Sequence, residues 1–290
     1  MPQFVKPRLR LEHAQFAVLT SAKFSNMSAR HTRESLSLQG ARVQSFSEQP
    51  DPGMTLLPVA ARLEAEHRRV FIGQKQLELL FVLGASMPPP PRPPRWYVIV
   101  DDDSFLFVHR LVDMLARLDD TQPLLVGGAQ GQSSLCGAAH LLLQPGGCHP
   151  RGSAHWREQD AAFINATGRR PVLRFHAGGL GYALSAPALR RMHAAIRQRR
   201  CPDAAYSDAA TAACALTVGV RQLTLPAGWI NNNERGRASE FGKSFYRGRL
   251  VSYHRLKQRQ ALCWARLAAA SPPDTLVECD QRCNLSTTSP

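Results

Sequence analysis

A chain of 290 residues with 44% hydrophobic and 20% charged content can bury a full core, which sets it apart from disordered and fibrous sequences. Lys and Arg number 36 against 22 Asp and Glu, and the resulting net charge of +14 suits an anionic ligand such as a phosphate diester. The arginines are scattered and no aromatic stripe interleaves them, so no nucleic acid is expected as a partner. No uninterrupted apolar run is long enough to span a bilayer, and the basic, proline-bearing residues 1–12 lack the apolar core of a secretory signal.

In chain order, residues 16–21 form a short apolar run closed by hydroxyls and read as a first strand. A helix is predicted over 30–38 and a second, alternating strand over 41–46. Asp51-Pro52-Gly53 marks a turn, and helices are predicted over 60–69 and 74–83. The proline-rich residues 87–94 form a stiff connector that no helix can cross.

That connector leads into the central stretch of the chain, Trp96-Tyr97-Val98-Ile99-Val100 followed by Asp101-Asp102-Asp103 and then Ser104-Phe105-Leu106-Phe107. Five apolar residues without alternation read as a strand buried on both faces of an α/β sheet. The three acids then fall at its carboxyl end, where open α/β sheets bind ligands. Adjacent carboxylates repel one another, and a divalent cation compensates them; Mg²⁺ and Mn²⁺ favour oxygen ligands and bridge to phosphate. The structural alternative is an acidic turn with Asp103 or Ser104 capping the next helix.

Beyond the acids an amphipathic helix is predicted over 111–118, then a strand over 124–126 that enters the glycine corner Gly127-Gly128. Residues 129–171 are irregular. The glycines of 175–185 suit close approach of the backbone to a ligand or another strand. Ser185 caps a helix that continues to about Arg197, with Pro187 in its first turn. A loop at 201–208 precedes a second helix with Asp208 as its N-cap, then a strand at 220–225 and a last strand at 250–254. The tail after Ala261 shows little periodicity and is expected to be loose. Seven cysteines include no CxxC pair, and three short sequons begin at Asn26, Asn165 and Asn284.

The acid-ended strand, the glycine corner, Gly178-Gly179-Leu180-Gly181-Tyr182-Ala183-Leu184-Ser185, Asp208 ahead of Cys214, Gly219-Val220 and Val251-Ser252-Tyr253-His254 occur in that order. Together they resemble the Fringe-like glycosyltransferases, the β1,3-glycosyltransferase superfamily that includes core 1 galactosyltransferase and a large plant group. The resemblance spans roughly residues 15–257. It implies an α/β fold of the GT-A type, a mixed central sheet with helices on both faces. It also implies an inverting transferase that moves a hexose or N-acetylhexosamine from a UDP-sugar to a hydroxyl of a glycan or glycoprotein acceptor, with Mn²⁺ as cofactor, in the Golgi lumen. Members are normally type II membrane proteins, and the anchor is absent from this chain.

By the same resemblance, Asp101, Asp103 and His254 are the metal ligands, with Asp101 and Asp102 also facing the donor nucleotide. Thr20, Ser21 and Lys75 contact the nucleotide, and Asp208 is the catalytic base. Gly178, Gly179 and Trp229 line the acceptor side. The implied division is a basic tail at 1–14, a catalytic domain at 15–257 and a loose tail at 258–290. Within the catalytic domain, 15–126 form the nucleotide-sugar half and 127–257 the acceptor half. Cys201 and Cys214 match a disulfide of the family that flanks the Asp208 loop; Cys136 with Cys148 makes a second pair, and Cys263, Cys279 and Cys283 leave an odd thiol. Several positions depart from the pattern. Ala209 stands where a second acid is common, Gly228-Trp229-Ile230-Asn231 replaces a phenylalanine-histidine-glutamine motif, and the glycine corner lacks its acid. These departures keep a second reading open, a family member that binds glycan or partner without turnover.

Overall fold

The structure, a computed structural model, describes residues 9–20, 30–58, 60–61, 72–88, 94–128, 130–134, 172–176, 181–201, 207–224, 229–231, 252–254, 258–270 and 283. Ser21, Gly178, Gly179, the Cys136 and Cys148 pair and the expected helix beyond residue 61 lie outside them. The first half of the chain supplies β1 (Ala14–Leu19), α1 (Arg30–Leu38), β2 (Arg42–Ser47), β3 (Met54–Leu56), α2 (Ile72–Ala85), β4 (Trp96–Asp101), β5 (Ser104–Leu106), α3 (Val108–Leu115) and β6 (Leu124–Gly127). The second half supplies β7 (Gln130–Ser134), β8 (Val172–His176), β9 (Tyr182–Ser185), α4 (Ala186–Arg197), α5 (Ser207–Thr217), β10 (Arg221–Thr224), β11 (Trp229–Asn231), β12 (Ser252–His254) and α6 (Gln258–Ala270).

Seven strands form the main sheet in the order β10-β6-β9-β4-β1-β2-β3. All its pairings are parallel except those of β9, which runs antiparallel to both β4 and β6. The sheet is therefore mixed and α/β, as expected. Burial on both faces follows from the side-chain alternation of its strands. Tyr97 and Ile99 of β4 pack with Leu79 and Leu80 of α2, Leu189 and Met192 of α4, and the alanines of α5. Trp96, Val98 and Val100 pack on the other face with Leu36 of α1 and Leu111 and Leu115 of α3. Glycine matters where β9 approaches β4: Gly181 has φ +77°, and a Cβ there would sit 2.8 Å from Val100 Cγ1. Two smaller sheets complete the fold, β11-β12-β5 and β7-β8.

One alternative is removed and three expectations are corrected. The acidic turn does not cap a helix, because Ser104 enters β5, and β12 pairs with it. The next helix starts at Val108 rather than near 111, where Gln39 Oε1 accepts the Val108 N–H at 3.0 Å and so satisfies an N-terminal amide. Asp208 is not an N-cap but lies in the first turn of α5, which begins at Ser207. The tail expected to be loose at 258–290 instead contains α6, whose Trp264 is buried against Phe105 and Phe107. A disulfide joins Cys263 to Cys283 beside this helix, and another joins Cys201 to Cys214.

Candidate active site

The acidic turn is built by the end of β4. Asp101 is the last residue of that strand and pairs with Leu19 of β1, so the chain leaving β1 at Thr20 runs beside the carboxylates. Thr20 is buried, and its hydroxyl donates to Asp102 Oδ2 at 2.5 Å while its N–H donates to the Phe46 carbonyl at 3.1 Å. A second hydroxyl, that of buried Thr32 on α1, donates to the Asp102 carbonyl at 2.5 Å. Two neighbouring elements thus hold the turn, and Asp101, Asp102 and Asp103 remain half-buried at the carboxyl end of β4.

The small sheet brings the last strand to the same place. β12 runs antiparallel to β5 with His254 opposite Ser104, one residue beyond Asp103. β11 lies on the other side of β12, with Asn231 opposite His254 and Trp229 opposite Ser252. Among the described residues no three His, Cys, Asp or Glu side chains are gathered as a metal cage, and the side chain of His254 lies outside that description.

Asp208 reaches the site from the other half of the chain. It is half-buried, and its Oδ1 accepts the Ala209 N–H at 2.8 Å. The Tyr182 phenol lies within electrostatic reach of both groups of acids. Its pKa is pushed well above the ordinary tyrosine range, first by burial and then by the negative charges of Asp101 and Asp208, while its bond to Thr211 pulls the other way. Asp101 and Asp208, far apart in sequence, thus both act on one buried phenol. Ala209, at the position where a second acid was expected, is fully buried in the alanine-rich face of α5.

Lys75 is held differently from a simple nucleotide contact. Its Nζ lies 2.5 Å from Glu48 Oε1, and both side chains are buried at the carboxyl end of β2. Thr32, Glu48, Tyr182 and Thr211 were not legible as site residues. Thr211 alone left a trace, as a lone hydroxyl inside the run Ala209 to Ala213.

The Fringe-like family model matches residues 12–227. The chain belongs to the Fringe-like family. Family membership makes it a glycosyltransferase by kinship, and its mixed sheet is of the GT-A kind. Among solved structures it is similar to mouse xyloside xylosyltransferase 1 in its apo form, at 10% identity and a TM-score of 0.41, covering 83% of this chain and 97% of that one. No curated protein matches the sequence. Among the described residues of this Fringe-like chain, no helix is long and apolar enough to cross a membrane.

Proposed function

We propose that this Fringe-like chain is an inverting, metal-dependent transferase that moves a hexose or N-acetylhexosamine from a UDP-sugar to an acceptor hydroxyl, forming a β1,3 linkage. The observation that carries the reading is the register of β12 on β5, which sets His254 beside the turn that holds Asp103. Two carboxylates and an imidazole are a donor set that suits Mn²⁺, so Asp101, Asp103 and His254 would hold it. When bound, the cation neutralises charge on the departing diphosphate.

The remaining chemistry falls to the chain itself. Asp208 accepts the proton of the attacking acceptor hydroxyl, since inversion requires a single displacement with a base on the acceptor side. Thr20 orients Asp102, and Thr20 and Ser21 are assigned to the donor nucleotide. Lys75 contributes through its pairing with Glu48 at the same sheet edge. Gly178, Gly179 and Trp229 belong to the acceptor side, where a glycan or glycoprotein docks. The two disulfides support a lumenal, oxidising compartment such as the Golgi.

The test is UDP release from a panel of UDP-sugars with Mn²⁺, repeated with Asp103→Ala and with EDTA. Release is expected to vanish in both, and release undiminished by EDTA would remove the metal from the reading. Ala209 favours a second reading, a non-catalytic glycan- or partner-binding protein. UDP–Mn²⁺ binding with no transfer from any donor would favour that one.

A further inference from the structure

A buried polar chain runs from the central sheet into the helix that carries Asp208. Tyr182 opens β9, with Ile99 of β4 and Gly127 of β6 as its register partners, and only 2% of it is exposed. Its hydroxyl lies 2.8 Å from Thr211 Oγ1. Thr211, also buried, donates its own hydrogen to the Ser207 carbonyl at 2.9 Å. A threonine hydroxyl has one hydrogen to give. With that hydrogen committed, Tyr182 must be the donor, and the chain runs Tyr182 to Thr211 to Ser207 in a single direction.

Packing does not call for these hydroxyls. The Tyr182 ring packs in an apolar core cluster with Leu184, Ala210 and Ala212, and phenylalanine and valine would fill the volume. A satisfied buried polar chain in such surroundings selects one arrangement over its neighbours. Here the selected arrangement is the rotation of the first turn of α5. Ser207 and Thr211 bracket Asp208 within that turn, and Thr211 lies three residues on, on the adjoining face of the helix. The Cys201–Cys214 disulfide restrains the next turn along. At the other end, Tyr182 pairs with Ile99, two residues before Asp101.

We propose that Tyr182 and Thr211 are positioning residues: their hydroxyl chain to Ser207 locks the first turn of α5 so that the Asp208 carboxylate faces the acidic turn at a fixed separation. This rests on the reading of Asp208 as the base. Misplacing a reacting group by about 1 Å can cost on the order of a hundredfold in rate, so the lock acts on turnover rather than on donor binding.

The test compares Tyr182→Phe, Thr211→Val, Thr211→Ser and Asp208→Asn in the intact protein. Transfer kinetics use the donor found active in the panel, UDP–Mn²⁺ affinity is read by calorimetry, and thermal midpoints accompany each variant. Tyr182→Phe and Thr211→Val are expected to lose about tenfold or more in kcat, with donor KM and UDP–Mn²⁺ affinity within about twofold of the parent. Thr211→Ser, which keeps the hydroxyl and loses a methyl group, restores most of kcat. Wild-type kcat in folded Thr211→Val, or equal impairment of Thr211→Ser and Thr211→Val, overturns the lock. So does a kcat loss matched by an equal loss of UDP–Mn²⁺ affinity. Should Tyr182→Phe fail to fold, the Thr211 pair decides. An active Asp208→Asn, or a parent protein with no transfer at all, instead defeats the assignment of the base and the inference with it.

Discussion

Thr20 donates its hydroxyl hydrogen to Asp102 Oδ2 at 2.5 Å across 82 residues of chain. The bond joins the exits of two adjacent parallel strands, β1 and β4, at the edge where the proposed donor nucleotide sits. A hydrogen bond to a charged acceptor contributes about 1.5–3 kcal/mol, and the half-buried carboxylate puts this one near the lower end. Thr20→Val, which keeps the shape and removes the donor, is expected to lose roughly 1.5 kcal/mol in urea unfolding. It should also weaken UDP–Mn²⁺ binding, whereas Thr20→Ser should do neither. Unchanged affinity in a measurably destabilised Thr20→Val would confine the bond to a structural part.

Lys75 and Glu48 offer a way to separate pairing from nucleotide contact. The ammonium and carboxylate are 2.5 Å apart, with side chains 10% and 2% exposed. Removing one partner breaks a buried ion pair, so Lys75→Met is expected to cost about 3 kcal/mol or more in denaturant unfolding. Replacing both, in Lys75→Met/Glu48→Leu, should recover much of that loss, since apolar pairs often substitute well for buried ions. The double variant then reports on function directly. Lost UDP affinity in a protein whose stability has returned assigns Lys75 to the nucleotide, and retained affinity assigns it to the fold alone.

The main sheet was readable because its strands are apolar runs with clear ends. Trp96 to Val100 is buried on both faces, and Asp101 marks the exit. Ser185 was readable as a cap because serine followed by proline in the first turn is a local signal; its Oγ accepts the Leu124 N–H at 2.9 Å as well as the Ala188 N–H at 3.4 Å. Asp208 was read as an N-cap but lies in the first turn of α5, because serine and aspartate at the start of a helix carry the same local signal whether they cap it or sit just inside it. The hydroxyls of Thr32 and Thr211 left little signal, because their partners at Asp102 and Tyr182 are distant in sequence and tertiary packing alone joins them. The C-terminal helix was missed for a related reason. Its buried face is mostly alanine, namely Ala261, Ala265 and Ala268, around the single large residue Trp264, so hydrophobic periodicity is weak.

That single large residue should carry much of the energy of the C-terminal packing. Trp264 meets Phe105 edge-on at 5.5 Å between ring centroids and stacks over Phe107 at 6.4 Å. Trp264→Ala is expected to cost about 3–5 kcal/mol in denaturant unfolding, as large-to-small changes of buried aromatics do. Phe105 lies in β5, two residues past Asp103 and opposite Tyr253 of β12, so the loosened contact should spread to the proposed metal site. Weaker Mn²⁺-dependent UDP binding is therefore expected in Trp264→Ala at temperatures where it stays folded. Full affinity in that variant would mean that α6 supports the fold without supporting the site.

The glycine corner makes a further prediction, through its fit to His176. A Cβ on Gly127 would lie 2.5 Å from His176 Cγ, so the imidazole occupies the space that any larger residue would need. Gly127→Ala is expected to cost about 1–3 kcal/mol by overpacking, and the cost should fall when His176→Ala is added, a coupling that a double-mutant cycle measures. His176 is itself buried, with neither ring nitrogen in a hydrogen bond of good geometry. Burial lowers its pKa, against a weaker opposing pull from the backbone at Gly128 and Leu125. The unfolded imidazole takes up a proton near pH 6.5, while the folded one stays neutral until the pH is lower. Below about pH 6.5 the unfolded state thus binds more protons, and stability falls as the pH falls, by up to about 1.4 kcal/mol per pH unit until the folded pKa is reached. His31 and His193 are lowered in the same direction, so the comparison must be differential. Urea unfolding of the parent and of His176→Leu between pH 7 and about pH 5 should show a shallower acid slope in the variant. Parallel slopes would mean that His176 gains its proton while still folded.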